Sequence, residues 1–318
     1  MRKDIDIVAS GYPSLDRIIR VESEPALGTT SIIRNDDNAT VYYGGCNVNV
    51  TYICSRLGLR CAPLMRVGKD FADSGFRSFL EDAGTIMDGI EQIDTDTTSC
   101  SYLVMTEKGD HITLFYPGAM STAYPPRLNE ELIRRAKYGV LTVGNPDYNV
   151  EFAKACLKHE VPIIFGMKCD FDSFSPELLP DILHGCEIVF MNEMEQETLN
   201  QLLAFHHITE LLNFRLVKAL VVTMGSRGSH IYARRDGRIE EYSVGVAKTG
   251  TVVDTTGCGD AYLAGFMYAY IQRKPLQVCG RMGAAVSSFV LEKTGCLTNV
   301  PDLDMLLKRY RDSFGEEF

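Results

Sequence analysis

The sequence predicts an α/β fold in three layers: a mainly parallel central sheet covered by helices on both faces, with a small β-sheet at one edge. Three observations carry this. Short, continuous apolar strands alternate with stretches of helical periodicity, as parallel strands buried on both faces require. Two segments break that rhythm with strand-like alternation alone. The chain also has 318 residues, 45% apolar and 23% charged, an ordinary composition for a globular enzyme. That length can bury a large core in one domain spanning 1–318.

The elements follow in order. DIDIVAS (4–10) is a strand ending at Gly11. In NVNVTYICSRLG (47–58), Val50, Ile53, Cys54 and Leu57 fall at helical spacing and Gly58 is the stop. APLMRVG (62–68) is a strand, and Phe76, Phe79, Leu80 and Ala83 mark a helix closed by Gly84. Strand 139–144, helix 150–160 and strand 161–167 come next. Strand 187–192 leads into helix 193–205, and strand 218–225 into a hairpin around RRDGR (234–238). Two apolar helices, 260–272 and roughly 275–292, close the core. The interruptions are 14–43 and 100–116, the latter a hairpin whose four-residue turn contains Gly109. Insertions at about 14–43 and 95–120 are expected to form the small sheet, placed to cover a ligand as a lid and to serve as a homodimer surface.

A net charge of −10 and the absence of a basic tail argue against nucleic acid as a partner. No apolar run reaches the ~18 residues of a membrane helix, and the N-terminus MRKDIDIVAS, with acids among its first residues and no long apolar run, is unlike a secretory signal. The ten cysteines form no CxxC and have no histidine at ligand spacing. They read as free thiols used as small core residues in a reducing cytoplasm.

The chemistry concentrates in DTTGCGDAYLAGF (254–266). Leu263, Phe266, Met267 and Tyr270 give the helix a buried face, so its first turn falls near Gly257–Asp260. The amides of Gly257, Cys258 and Gly259 then lack helical partners at the positive end of the dipole and make an anion site. Asp260 beside that site would repel an anion. It makes sense as a proton acceptor while the amides hold charge on a transferring group. A phosphate-binding loop of the GxxxxGK[ST] type is excluded because no lysine follows, and a dinucleotide fingerprint because Tyr262 stands where its third glycine belongs.

Several motifs in order resemble the ribokinase-like, or phosphofructokinase-B type, carbohydrate kinases. DTTGCGD matches the family's DTxGAGD except for Cys258. The others are Gly11-x-x-x-x-Asp16, GGCNVN at 44–49, Asn192-Glu193-Met194-Glu195, and Thr223-Met224-Gly225-Ser226-Arg227-Gly228. The resemblance spans nearly the whole chain and implies a ribokinase-like fold with a β-sheet lid and an ATP-dependent kinase. It implies Asp260 as general base and Gly257, Cys258 and Gly259 as anion hole. Asp16, Gly44, Gly45 and Asn49 would bind the acceptor. Thr223, Gly225, Gly228 and Gly295 would bind the nucleotide, and Asn192 and Glu195 would position Mg²⁺. Read alone, Asn192 is a capping residue ahead of an acidic turn. The loop near Gly295, with Asp254, resembles the family's site for a monovalent cation such as K⁺. Cys258 is either an oxidation-sensitive thiol or a buried, inert one.

Asp16 and Asn49 suit a neutral polyol, because a carboxylate accepts from adjacent hydroxyls and an amide both donates and accepts. Ser14 and Cys46-Asn47 depart from the ribokinase pattern. Residues 115–120 and Gly11-x-Pro13-x-x-Asp16 resemble nucleoside kinases, so sugar and nucleoside acceptors both stand. Tyr42, Tyr43, Tyr102, Phe115 and Met120 are candidates to stack on a base, or else lid core. The rival class is a catalytically silent sensor that binds sugar or nucleoside and nucleotide on the same fold.

Overall fold

A computed structural model describes residues 3–36, 38–106, 111–168, 170 and 173–318. The apolar runs form the strands of a nine-stranded sheet: β1 (Ile5–Ser10), β4 (Cys61–Gly68), β5 (Ile90–Ile93), β8 (Ala136–Leu141), β9 (Ile163–Gly166), β10 (Cys186–Asn192), β11 (Ala219–Thr223), β12 (Ser229–Arg235) and β13 (Arg238–Val244). Their order is β13-β12-β11-β10-β9-β8-β1-β4-β5. From β11 to β5 all neighbours are parallel, while β12 and β13 add an antiparallel edge. The β12–β13 hairpin turns at Asp236 and Gly237, both at positive φ (49° and 75°), the backbone a two-residue turn demands.

Helices sheathe the sheet. α1 (Cys46–Arg56), α7 (Cys258–Ile271), α8 (Leu276–Val290) and α9 (Leu303–Phe314) pack in sequence on one another. α3 (Glu130–Arg135) and α5 (Leu179–Gly185) flank α4 (Pro146–Lys158). α2 (Phe76–Asp82) follows β4, and α6 (Glu193–Leu203) follows β10. β4 is buried at all eight positions, and its one charged residue, Arg66, donates to the carbonyls of Ser121, Tyr124 and Pro125. α7 is apolar all round because the sheet, α1 and α8 cover it together.

The second sheet has the order β3-β2-β6-β7, from β2 (Ser14–Val21), β3 (Tyr42–Gly44), β6 (Cys100–Thr106) and β7 (His111–Tyr116). Between β2 and β3, however, the expected alternating strands reduce to one bridge, Val21 to Ile33. The expected hairpin pairs Cys100 with Tyr116 and Met105 with His111. Its turn around Gly109 lies outside the described residues. Parallel pairing of β2 with β6 joins the two insertions.

Two elements are displaced by three residues or more from the sequence reading. The helix expected at 150–160 starts at Pro146, because Asn145 Oδ1 accepts the Tyr148 N–H at 2.9 Å and proline suits a first helical position. The strand expected at 139–144 is β8, which starts at Ala136 where α3 ends. Among the described residues no helix is long and apolar enough to cross a membrane.

Candidate active site

Every parallel strand of the large sheet ends on the same edge, and the motifs gather there. β1 ends at Ser10, β10 at Asn192 and β11 at Thr223, with Asn192 and Thr223 directly paired. This is the edge where open α/β sheets bind ligands. A hollow of about 460 Å³ lined by Tyr138, Lys218, Arg235, Tyr270 and Arg273 lies at the opposite edge and holds none of the motifs.

Two helices open onto this edge with bare N-termini. Gly45 caps α1 at φ 102°, Gly257 caps α7 at φ 79°, and neither helix has a side-chain cap. The Cβ of an alanine at 257 would lie 2.7 Å from the Cys296 Cβ. Beside Gly259 there is open space, room for a ligand against the backbone. In α7 the Ala261 amide makes the first helical bond, to the Gly257 carbonyl at 2.9 Å. Of the amides ahead of it, Cys258 N–H reaches the Thr255 carbonyl at 3.3 Å, a long bond that an anion could replace. The cradle predicted at 257–259 therefore has its middle donor already leaning on the loop.

The residues expected to bind an acceptor converge with Asp260 from distant parts of the chain. Asn49 Nδ2 donates to Asp260 Oδ2 at 2.8 Å across 211 positions of sequence. A Cβ at Gly44 would lie 2.7 Å from Asp16 Oδ2 and 3.7 Å from Asn49 Oδ1, so both oxygens crowd the bare face of that glycine. Asn49 Oδ1 is buried without a hydrogen-bond partner, an acceptor waiting for a donor. Asp16 accepts a short hydrogen bond from Ser14, whose hydroxyl lies 2.9 Å from that of Ser101. Burial pushes the Asp16 carboxyl up, against the bonds from Ser14 and Ser101 and the charge of Lys168.

That direction gives a pH dependence. A buried carboxyl with a raised pKa loses folding free energy as pH rises from its unfolded value through its folded one. Asp16→Asn should therefore raise the melting temperature at pH 8 and weaken acceptor binding. In the wild type, acceptor affinity should fall as pH drops through the raised Asp16 value, since a protonated carboxyl gives up an acceptor site. Calorimetric titration from pH 8 to 4.5 checks both, and a flat profile would count against Asp16 as the hydroxyl acceptor.

Thr223, Gly225 and Gly228, the residues expected to bind nucleotide, form the turn from β11 to β12, where Met224 N–H donates to the Gly228 carbonyl at 2.8 Å. Asn192 and Glu195 form a capping box at the start of α6. Asn192 Oδ1 accepts Glu195 N–H at 2.9 Å and Asn192 N–H donates to Glu195 Oε2 at 2.7 Å. The box engages one oxygen of each and supplies a structural reason for the pair. Among the described residues no group of three or more His, Cys, Asp or Glu could hold a metal by itself. Gly295 N–H donates to Asp254 Oδ2 at 2.9 Å, and Asp254 Oδ1 accepts from Thr256 N–H and Oγ1, so Asp254 staples the α7 approach to the loop after α8.

Three cysteines line the site. Burial, together with nearby Asp260 or Asp254, pushes the Cys46 and Cys258 thiols up to about 12 and Cys296 well above its ordinary value. This favours an inert Cys258, because the thiolate is the reactive form. Iodoacetamide at pH 7.5 is expected to leave Cys258 unmodified for longer than free glutathione, as peptide mapping would read. Of the candidate stacking residues, Tyr43 stacks on Phe76 and Met120 is fully buried, so both belong to packing. Tyr42 lies against Gly295, and Phe115 meets Tyr12 edge-on at 4.8 Å. Sequence reasoning missed Ser101 of β6, whose hydroxyl joins the Ser14–Asp16 network at 2.9 Å, because it belongs to no motif.

A carboxylate between two uncapped helix ends, at the switch edge of a doubly covered sheet, defines an α/β group-transfer enzyme. The pfkB family carbohydrate kinase profile matches residues 5–303. The chain belongs to that family, whose members are phosphotransferases acting on hydroxyl groups. It is 33% identical over 312 residues to a nucleoside kinase of Methanocaldococcus jannaschii, covering 95% of this chain and 96% of that one. It is 31% identical to a nucleoside kinase of Methanothermobacter thermautotrophicus, covering 100% and 99%. The crystal structure of the Methanocaldococcus jannaschii nucleoside kinase, an archaeal member of the ribokinase family, superposes with a TM-score of 0.86 over 98% of this chain and 100% of that one. The fold is thus ribokinase-like, as the motifs implied.

Proposed function

We propose that the protein is an ATP-dependent nucleoside kinase that transfers the γ-phosphate to a sugar hydroxyl. The observation that carries this is the Asn49–Asp260 contact beside Asp16. It joins a polyol-binding pair to a carboxylate at a bare helix end. Full-length similarity to two nucleoside kinases favours a nucleoside over a free sugar, and Tyr42 and Phe115 offer ring faces for a base.

Asp16 and Asn49 hold adjacent hydroxyls and present a third to Asp260. Asp260 takes the hydroxyl proton as the new O–P bond forms and the bond from phosphorus to ADP breaks. The amides at 257–259 hold the equatorial oxygens of the group in transit. Thr223, Gly225, Gly228 and Gly295 border the nucleotide. Asn192 and Glu195 suit Mg²⁺ as oxygen donors in an outer role, with waters and phosphates completing the shell. The ion would neutralise charge on the phosphates. The small sheet closes over the acceptor as a lid, within one domain over 1–318. Its exposed Ile112, Leu114 and Tyr116 make it the proposed homodimer surface. A potassium-type cation at the Asp254 loop and a cytoplasmic location complete the reading.

Turnover with Mg-ATP over pentoses, hexoses and nucleosides tests it. Phosphorylated nucleoside is the expected product. A hexose as best acceptor overturns the substrate assignment, and binding without turnover establishes the silent sensor.

A further inference from the structure

Asp16 is held from one side by two serines of the small sheet. Ser14 stands two residues before it on β2, so the two side chains share a face of that strand. Ser101 of β6 lies directly opposite Asp16 in the parallel pairing of β2 with β6, which puts its side chain on the same face. All three residues are buried.

Counting protons gives the serines a direction. An ionised carboxylate only accepts, so Ser14 commits its one hydroxyl proton to Asp16 Oδ1. The 2.9 Å hydrogen bond between the Ser14 and Ser101 hydroxyls then has Ser101 as its donor. Donation runs from Ser101 to Ser14 to Asp16, and each bond in such a chain strengthens the next. Both hydroxyls favour the ionised carboxyl, against its burial.

The chain also selects an oxygen. Oδ1 is taken on the serine side. Oδ2 faces the bare side of Gly44 on β3, across β2 from β6. A Cβ there would lie 2.7 Å from Oδ2 and 3.7 Å from Asn49 Oδ1, the buried acceptor without a partner. The two acceptor oxygens thus flank one point, and a donor hydroxyl placed there meets both.

We infer that Ser101 is a positioning residue for the acceptor: acting through Ser14, it keeps Asp16 Oδ1 occupied and Oδ2 turned to the incoming hydroxyl. The inference rests on the kinase reading above, in which Asp16 receives that hydroxyl. Asp16 comes from the first insertion and Ser101 from the second, so the recognising carboxylate is complete only where the two insertions pair. The other titratable or charged groups around Asp16 are Lys168 past β9, Cys100 of β6 and Cys296 after α8, with Asp260 of α7 beyond Asn49.

The test compares wild type, Ser101→Ala, Ser101→Thr, Asp16→Asn and the double variant of Ser101→Ala with Asp16→Asn. Ser101→Ala should raise KM for the best nucleoside about tenfold, as loss of a hydrogen bond serving a charged group does. Its kcat should stay within threefold of wild type, and Ser101→Thr, which keeps the hydroxyl, should restore KM. Melting curves at pH 4.5 and pH 8 read the carboxylate without any ligand. Removing a donor destabilises the ionised carboxyl more than the protonated one. Ser101→Ala should therefore lose more melting temperature at pH 8 than at pH 4.5. In the Asp16→Asn background that difference should vanish. A KM within twofold of wild type overturns the inference. So does a melting loss that is equal at both pH values and unchanged in the Asp16→Asn background, which would make Ser101 a packing residue. Either result leaves the kinase reading standing. If no acceptor turns over even in wild type, the kinase reading fails, and the melting curves still decide whether Ser101 acts through Asp16.

Discussion

Asp260→Asn is expected to lower kcat by about 10²–10⁴-fold, the usual contribution of a positioned general base. The substitution preserves size. An asparagine Oδ1 can still accept from Asn49 Nδ2, so the contact that now reads 2.8 Å should survive. What disappears is a group able to take the acceptor proton. KM for the nucleoside should change little, because Asp16 and the remaining oxygen of Asn49 stay in place. Steady-state kinetics with Mg-ATP and the best nucleoside is the measurement. A kcat within tenfold of wild type would show that another group, or water, receives the proton.

Gly45→Ala should damage both the fold and the acceptor site. At φ 102° and ψ 136° the residue occupies backbone space that L side chains rarely adopt, at a cost of about 1–3 kcal/mol. The new Cβ would also fall 2.1 Å from the Tyr12 carbonyl oxygen and 2.8 Å from the Pro13 Cα. Those are backbone atoms of the loop that leads to Asp16, so nothing can swing aside. Against a total stability of about 5–15 kcal/mol, several kcal/mol are a large share. The expected result is a melting temperature many degrees lower and loss of measurable acceptor binding in whatever protein remains folded. An unchanged melting curve would mean that the 11–13 loop yields more easily than its packing suggests.

What the sequence made legible was local. The strand–helix rhythm, the glycine bend of DTTGCGD and the RRDGR turn each draw their signal from a few neighbouring residues. α9 was legible in principle: Asp302 caps it, accepting Met305 N–H at 2.8 Å, and Leu303, Leu306, Leu307 and Tyr310 fall at helical spacing. α5 and β5 were harder, at 7 and 4 residues, because their apolar positions are too few to establish a period. The contacts that make a site lay beyond reach. Nothing near Asn49 announces a bond to Asp260. That bond is a product of tertiary packing, which delivers α1 and α7 to one edge. The motif Asn192-x-x-Glu195 shows the opposite hazard: its residues form a structural capping box whether or not they also serve a metal.

The bridge from Asn49 also bears on thrift. In the resting molecule one oxygen of Asp260 is already engaged. On the proposed kinase reading, the amide that would recognise the acceptor also occupies one oxygen of the proposed base while the acceptor is away. A guest that brings a hydroxyl to Asn49 Oδ1 then meets recognition and base already joined, so one side chain couples the choice of acceptor to the place where its proton would go.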